Sequence, residues 1–170
     1  IEGPRSFDSI AMDYDSLFEN PDTMRRYVRR SLETKKQYIE ADEFDCGVRN
    51  VFNYGHTFGH AIEAATDFAI PHGIAVTIGM DMANWIAVQL GVGSASQYNR
   101  MHQVLSKNYR GFEKFEIPFE AFNAAISSDK KNISDDVTLI LPDKDAKIFR
   151  ERYPNDDSFR AICAEYLLSY

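Results

Sequence analysis

Arg49-Asn-Val-Phe-Asn53-Tyr-Gly-His56-Thr-Phe-Gly-His60-Ala-Ile-Glu63, followed shortly by Pro71-His72-Gly73, is the stretch on which the reading of this chain turns. It predicts a helix from about Val48 to Phe68 that carries Gly55 and Gly59 inside it. Each glycine costs about 1 kcal/mol against alanine in a helix. Paired at i and i+4, they predict close approach by another backbone or by a ligand. Pro71-His72-Gly73 breaks the chain, and a strongly apolar helix runs on to Leu90, ended by Gly91. Being apolar on most sides, that helix is expected to be the buried central one.

His56 and His60, four apart, project from one helix face. His72, at the start of the next helix, follows a turn of the right length to fold back antiparallel and complete a site. The pattern suits two imidazoles on one metal, or one on a metal and the other beside a substrate. Zn, Co and Fe all suit imidazole with an oxygen ligand. Glu63 and Asp67 lie nearby, but Glu63 is seven residues from His56 and needs a bent path, so the oxygen ligand can also come from outside this chain. His102 stands apart on an amphipathic helix and reads as a surface residue.

Outward from this centre, Asn20-Pro21-Asp22 reads as a helix start: capping Asn, proline in the first turn, then an acid. Met24, Tyr27, Val28, Leu32 and Tyr38 continue it as an apolar stripe to Ala41. Residues 1–19 lack periodicity and read as a loop or the tail of an earlier element. Ser94 caps a helix to about Tyr109, Pro118 opens a short one to about Ser127, and a last helix runs from about Asp156 to Ser169. Val137–Leu141 and Ala146–Arg150, joined by Pro142-Asp143-Lys144-Asp145, predict a hairpin. The fold class is therefore mainly α, a helical metal-binding domain with a small β-hairpin, in one domain over 1–170.

The chain has 170 residues, 44% of them hydrophobic, and a net charge of −7. That is enough for a real core, and the acidic balance argues against a nucleic-acid surface. The longest apolar stretch, Ile70 to Leu90, is interrupted by His72, Asp81 and Asn84, which argues against a membrane span. Cys46 and Cys163, far apart and in no ligand spacing, read as reduced thiols of a cytoplasmic protein. No secretory leader is visible, and the start at Ile1 reads as a piece of a longer polypeptide.

Lys35, Arg49 and the pair Lys130-Lys131 are cations in acidic surroundings. Arg49 and Asn53 are expected on the helical face of His56. Arg suits bidentate capture of a carboxylate or phosphate, Lys a point contact. A metal with converging cations fits a small, anionic, hydroxylated substrate.

These residues together resemble a known family. Arg49 to Glu63 looks like the signature of 3-dehydroquinate synthase and its sugar-phosphate cyclase relatives. Pro71-His72-Gly73-x-Ala75-Val76-x-x-Gly79-Met80 is similar to that family's next signature. Asp129-Lys130-Lys131-Asn132, before a strand ending Leu141-Pro142, is similar to its third, and Lys35 and Asp42 also match. The resemblance spans roughly residues 24–150 and implies the C-terminal half of a two-domain α/β enzyme. The other half would be an N-terminal, Rossmann-like NAD-binding domain, of which this chain shows no Gly-rich nucleotide loop.

The resemblance implies that His56 and His72 are ligands of Zn or Co, with a third ligand, a Glu, upstream of residue 1. It moves His60 from the ligands to an acid/base or phosphate-contacting role. It also implies that Lys35, Arg49 and Asn53 hold the carboxylate of a heptulosonate and that Lys130 or Lys131 meets its phosphate. A homodimer is implied for the whole enzyme, and inactivity for this half alone. Two departures stand out: Ile74 replaces the usual Glu after His-Gly, removing an acid beside a ligand, and Ser134-Asp135-Asp136 stand where a glycine is usual. Other readings of the same residues are a different sugar-phosphate cyclase, an iron-dependent alcohol dehydrogenase, or a non-catalytic binding module.

Overall fold

A computed structural model of the chain describes residues 1–44, 47–128 and 136–170. The elements are α1 (Pro4–Asp13), a 3-10 turn at Tyr14–Ser16, α2 (Pro21–Ala41), a 3-10 segment at Val48–Asn53, α3 (His56–Ala65) and α4 (His72–Gln89). After them come α5 (Ala95–Asn108), α6 (Phe119–Ser128), β1 (Asp136–Pro142), β2 (Ile148–Pro154) and α7 (Asp157–Ser169). The mainly helical class with one hairpin is as the sequence predicts. Contacts divide the chain into two compact units, Ile1–Phe52 and Asn53–Tyr170.

In the first unit, α2 starts where expected: the Asn20 side-chain oxygen accepts from the backbone N–H of Asp22 at 3.0 Å and of Thr23 at 3.2 Å. Residues 1–19 correct the sequence reading. They hold a ten-residue helix opened by Pro4, tied to α2 by contacts that periodicity does not reveal. Arg30 pairs with Glu2 at 2.8 Å, and Tyr27 donates to Asp13 at 2.7 Å. No residue of α2 is buried, and its stripe residues Val28 and Leu32 remain exposed.

The second unit is organised by α3 against α4. A Cβ added at Gly79 would lie 2.1 Å from the Gly55 carbonyl oxygen and 2.7 Å from the Gly59 nitrogen; one added at Gly59 would lie 2.9 Å from the Val76 Cα. The expected close approach is thus backbone to backbone. It also corrects the expected helix over 48–68. Gly55 adopts φ +80, a left-handed conformation, so the 3-10 segment ends before it and α3 begins only at His56. Arg49 and Asn53 therefore do not continue the helix face that carries His56.

α4 is the buried central helix, with Ala75, Ile78, Met82, Ala83 and Ile86 at zero or near-zero exposure. Phe58 and Ile62 of α3, Phe122 and Ile126 of α6, Leu139 and Leu141 of β1 and Phe159 of α7 pack into the same core. β1 and β2 pair antiparallel, from Asp136 opposite Pro154 to Pro142 opposite Ile148. The second strand starts two residues later than expected. The Asp143 side chain accepts from the N–H groups of Asp145 and Lys147, both at 2.9 Å, and Ala146 takes a positive φ, so the turn consumes 143–147.

Asp81, at the middle of α4, is fully buried. Its Oδ2 accepts from Tyr166 at 2.8 Å, Tyr109 at 3.2 Å and His102 Nδ1 at 2.8 Å, joining α4 to α5 and α7. His102 is therefore only half a surface residue: its side chain is 44% exposed, but its inner nitrogen holds a core carboxylate. The sequence reading missed this because the partner lies 21 residues away on another helix. Cys163 is buried, and burial pushes its thiol up to about 12. No described helix is long and apolar enough to cross a membrane.

Two outcomes follow from this packing. Gly79→Ala forces apart two backbones and is expected to lose about 3 kcal/mol or more in urea unfolding, whereas an Ala at Gly73, where a Cβ meets nothing within 4 Å, is tolerated. Burial raises the hydroxyl groups of Tyr54, Tyr109 and Tyr166 well above the ordinary 10.0, and the Asp81 charge raises them further. The unfolded chain thus releases these protons first. Stability is full below pH 10 and falls above it by about 1.4 kcal/mol per pH unit for each such tyrosine. Melting temperatures from pH 8 to 11.5, with phenolate absorbance as a second probe, check this; early, non-cooperative ionisation of all tyrosines sinks it.

Candidate metal centre

The α3–α4 packing places three imidazoles together. The His56 and His60 ring centroids are 5.5 Å apart, His56 and His72 5.7 Å, and His60 and His72 5.6 Å. His56 and His60 occupy successive turns of α3, and His72 is the first residue of α4. Along the helix pair the contacts step by four in opposite directions. Gly55 faces Met80, Gly59 faces Val76, and Glu63 faces His72. Glycines occupy the first two rungs on α3, and the third rung is polar.

At that rung, His72 Nδ1 lies 3.2 and 3.1 Å from the two carboxylate oxygens of Glu63. The Glu63 side chain is 9% exposed, while that of His72 is 58% exposed and opens outward. An ionised carboxylate only accepts, so in this contact His72 Nδ1 is the donor. His56 is half-buried, with Nδ1 3.4 Å from the Tyr54 carbonyl oxygen. His60 is exposed. One ligand atom from each of His60, Glu63 and His72 falls within 4.8 Å of the others. Imidazoles with a buried carboxylate behind one of them are a donor set suited to Zn or Co, so the residues present fit a divalent metal.

Glu63 is the residue that sequence reasoning passed over as needing a bent path. No bend is needed: one turn beyond His60, it is the next rung of an antiparallel ladder, and the i, i+4 glycines were the signal for that ladder. Ile74, where an acid is usual, turns into the core packing instead.

The anion-binding candidates lie elsewhere in the chain. Lys35 is exposed on α2, and Arg49 belongs to the 3-10 segment of the first unit. The Arg49 loop is shaped by Asp42, whose Oδ2 accepts from the N–H of Gly47 at 2.8 Å and of Arg49 at 3.0 Å; the guanidinium donates to the Glu43 carbonyl at 2.9 Å. Asn53 opens the second unit, half-buried. Lys130, Lys131 and Cys46 lie outside the described residues, as do residues 134 and 135 of the second departure.

Comparison with known proteins follows the same lines. Residues 1–132 match the model of the 3-dehydroquinate synthase C-terminal family. A 3-dehydroquinate synthase of Campylobacter concisus (strain 13826) is 37% identical over 131 residues, covering 72% of this chain and 36% of the relative. One from Helicobacter pylori (strain P12) is 34% identical over 137 residues, covering 80% and 40%. The chain thus spans little more than a third of the length of these relatives. Among solved structures, 2-deoxy-scyllo-inosose synthase complexed with carbaglucose-6-phosphate, NAD+ and Co2+ superimposes with a TM-score of 0.72 at 19% identity, over 87% of this chain and 42% of that one. A 2-epi-5-epi-valiolone synthase from Streptomyces hygroscopicus subsp. jinggangensis 5008, with NAD+ and Zn2+ bound, gives 0.75 at 18% identity, over 96% and 46%. At such identities these two show a shared fold alone. With the family match and the curated relatives, the residues assign the chain to a family: it belongs to the 3-dehydroquinate synthase C-terminal family.

Proposed function

We propose that this chain forms the metal-binding half of a cytoplasmic, homodimeric 3-dehydroquinate synthase. The reaction is conversion of 3-deoxy-arabino-heptulosonate 7-phosphate to 3-dehydroquinate with release of phosphate. The observation that carries the reading is the triangle of His56, His60 and His72 backed by buried Glu63. His56 and His72 would hold a divalent Zn or Co, which would supply Lewis-acid chemistry, and NAD bound outside this chain would supply hydride chemistry. His60 moves protons at the substrate. Lys35, Arg49 and Asn53 bind and orient the substrate carboxylate, and Lys130 or Lys131 meets its phosphate.

A second reading, another sugar-phosphate cyclase, draws on Ile74 and on the two neighbours whose names are those of such enzymes. The cations favour the first: Arg49 suits bidentate capture of a carboxylate, and Lys35 a point contact with one.

The polypeptide carrying this chain, supplied with NAD and Zn or Co, is expected to release phosphate from the heptulosonate phosphate in a coupled assay. It should leave a carboxylate-free sugar phosphate untouched. No phosphate release rejects the reading; turnover of the carboxylate-free substrate selects the second one; net NADH production marks an alcohol dehydrogenase. Arg49→Ala is expected to lower kcat/KM by roughly 100-fold, chiefly through KM. His56→Ala and His72→Ala each weaken Zn binding by at least about 100-fold. His60→Ala leaves Zn affinity within about threefold and lowers kcat by roughly 100-fold or more. The reverse pattern for His56 and His60 exchanges their roles.

A further inference from the structure

We infer that Glu63 is a positioning residue: its buried carboxylate fixes the tautomer and ring orientation of His72 so that Nε2 is presented outward. The inference rests on the metal-site reading above only for the use made of that nitrogen. Three observations carry it. Both Glu63 oxygens straddle His72 Nδ1, at 3.1 and 3.2 Å, so the contact survives small rotations of either group. The carboxylate is 9% exposed, and its hydrogen-bond partner among the described side chains is the His72 ring. Burying a carboxylate is costly without a hydrogen-bond donor, and the His72 ring nitrogen is the donor placed to meet it.

Third, both groups are anchored by elements that cannot slide. Glu63 sits on the rung after two glycine rungs, where the backbones of α3 and α4 touch. His72 opens α4 behind Pro71, in a turn whose residues Asp67 and Phe68 take left-handed φ of 48 and 59 and whose Phe68 N–H bonds the Glu63 carbonyl at 2.8 Å. The same residue thus holds the turn through its backbone and the ligand through its side chain. Ile74 is thereby relieved of an orienting role: the acid that the residue after His72-Gly73 does not provide arrives from the facing helix.

The test uses the polypeptide carrying this chain, with 15N-labelled histidine, metal-free at pH 8. Two-bond proton–nitrogen correlations read each ring's tautomer, and His72→Gln identifies the residue 72 signals. The wild type is expected to show His72 protonated at Nδ1. Glu63→Met, similar in length and apolar, should shift His72 toward the Nε2-protonated form and lower Zn affinity by roughly 10- to 100-fold. Glu63→Gln, which keeps an acceptor oxygen without the charge, should retain more of the tautomer and fall between the two. It carries the test if Glu63→Met does not fold. An unchanged His72 tautomer in the folded variants overturns the inference. So does a Zn loss above roughly 1,000-fold with His56→Ala neutral, which would make Glu63 a ligand. Because the tautomer is read without metal, a shift seen alongside unaltered Zn binding in His72→Ala would defeat the metal-site reading while leaving the Glu63–His72 coupling intact.

Discussion

Contact between the backbones of α3 and α4 is the constraint on which the second unit depends. Glycine at 55, 59 and 79 lets the two helices approach until a single Cβ would strike a carbonyl oxygen or an amide nitrogen. Helices usually pack 8–10 Å apart with side chains between them. Removing those side chains surrenders dispersion and helix propensity. What it gains is position: His56 and His60 on one helix and His72 on the other have ring centroids less than 6 Å apart. With larger residues at the glycines, the same histidines would stand farther apart across a layer of hydrocarbon.

The opposite side of α4 is held by different physics. Asp81 is a charge in the middle of an apolar helix, and three donors from α5, from its C-terminal cap and from α7 converge on one of its oxygens. On the α3 side itself, Tyr54 donates to Asn84, one turn beyond Met80. Directional bonds of this kind fix the rotation of α4 about its axis, which apolar contacts alone do weakly because a helix apolar all round can turn. α4 is therefore registered twice, by glycine contact on one side and by hydrogen bonds on the other, and His72 at its first residue inherits that placement.

Much of this was legible in the sequence because local rules decide it. Asn20-Pro21-Asp22 starts α2, Gly91 follows the end of α4, and the paired glycines announce a close approach that the structure supplies. What sequence reading mistook depends on partners far along the chain. Residues 4–13 form a helix tied to α2 by ion pairs at either end of it, His102 reaches a carboxylate on another helix, and β2 starts late because Asp143 captures two backbone N–H groups in the turn. The continuous helix expected over 48–68 failed for a tertiary reason. Gly55 yields to Val76 and Met80 by turning left-handed, and that splits the segment. Glu63 escaped notice because its distance from His56 was counted along one helix, when its partner lies on the next.

Ring distances alone do not divide the work among the three histidines, since their triangle is nearly equilateral. The inner nitrogens differ in what they meet. His72 gives Nδ1 to Glu63, and His56 has Nδ1 3.4 Å from the Tyr54 carbonyl oxygen, so each ring meets an acceptor at its inner nitrogen. His60 is exposed, and its ring contacts are with the other two imidazoles. A ligand benefits from being held in one tautomer, because the lone pair must already point at the metal. A proton carrier benefits from the opposite freedom, because it must hold the proton on either nitrogen at different moments. Among the described residues, that contrast in contacts at the inner nitrogens is the physical ground for proposing residues 56 and 72 as ligands and residue 60 as the proton carrier, a division that spacing along the sequence leaves open.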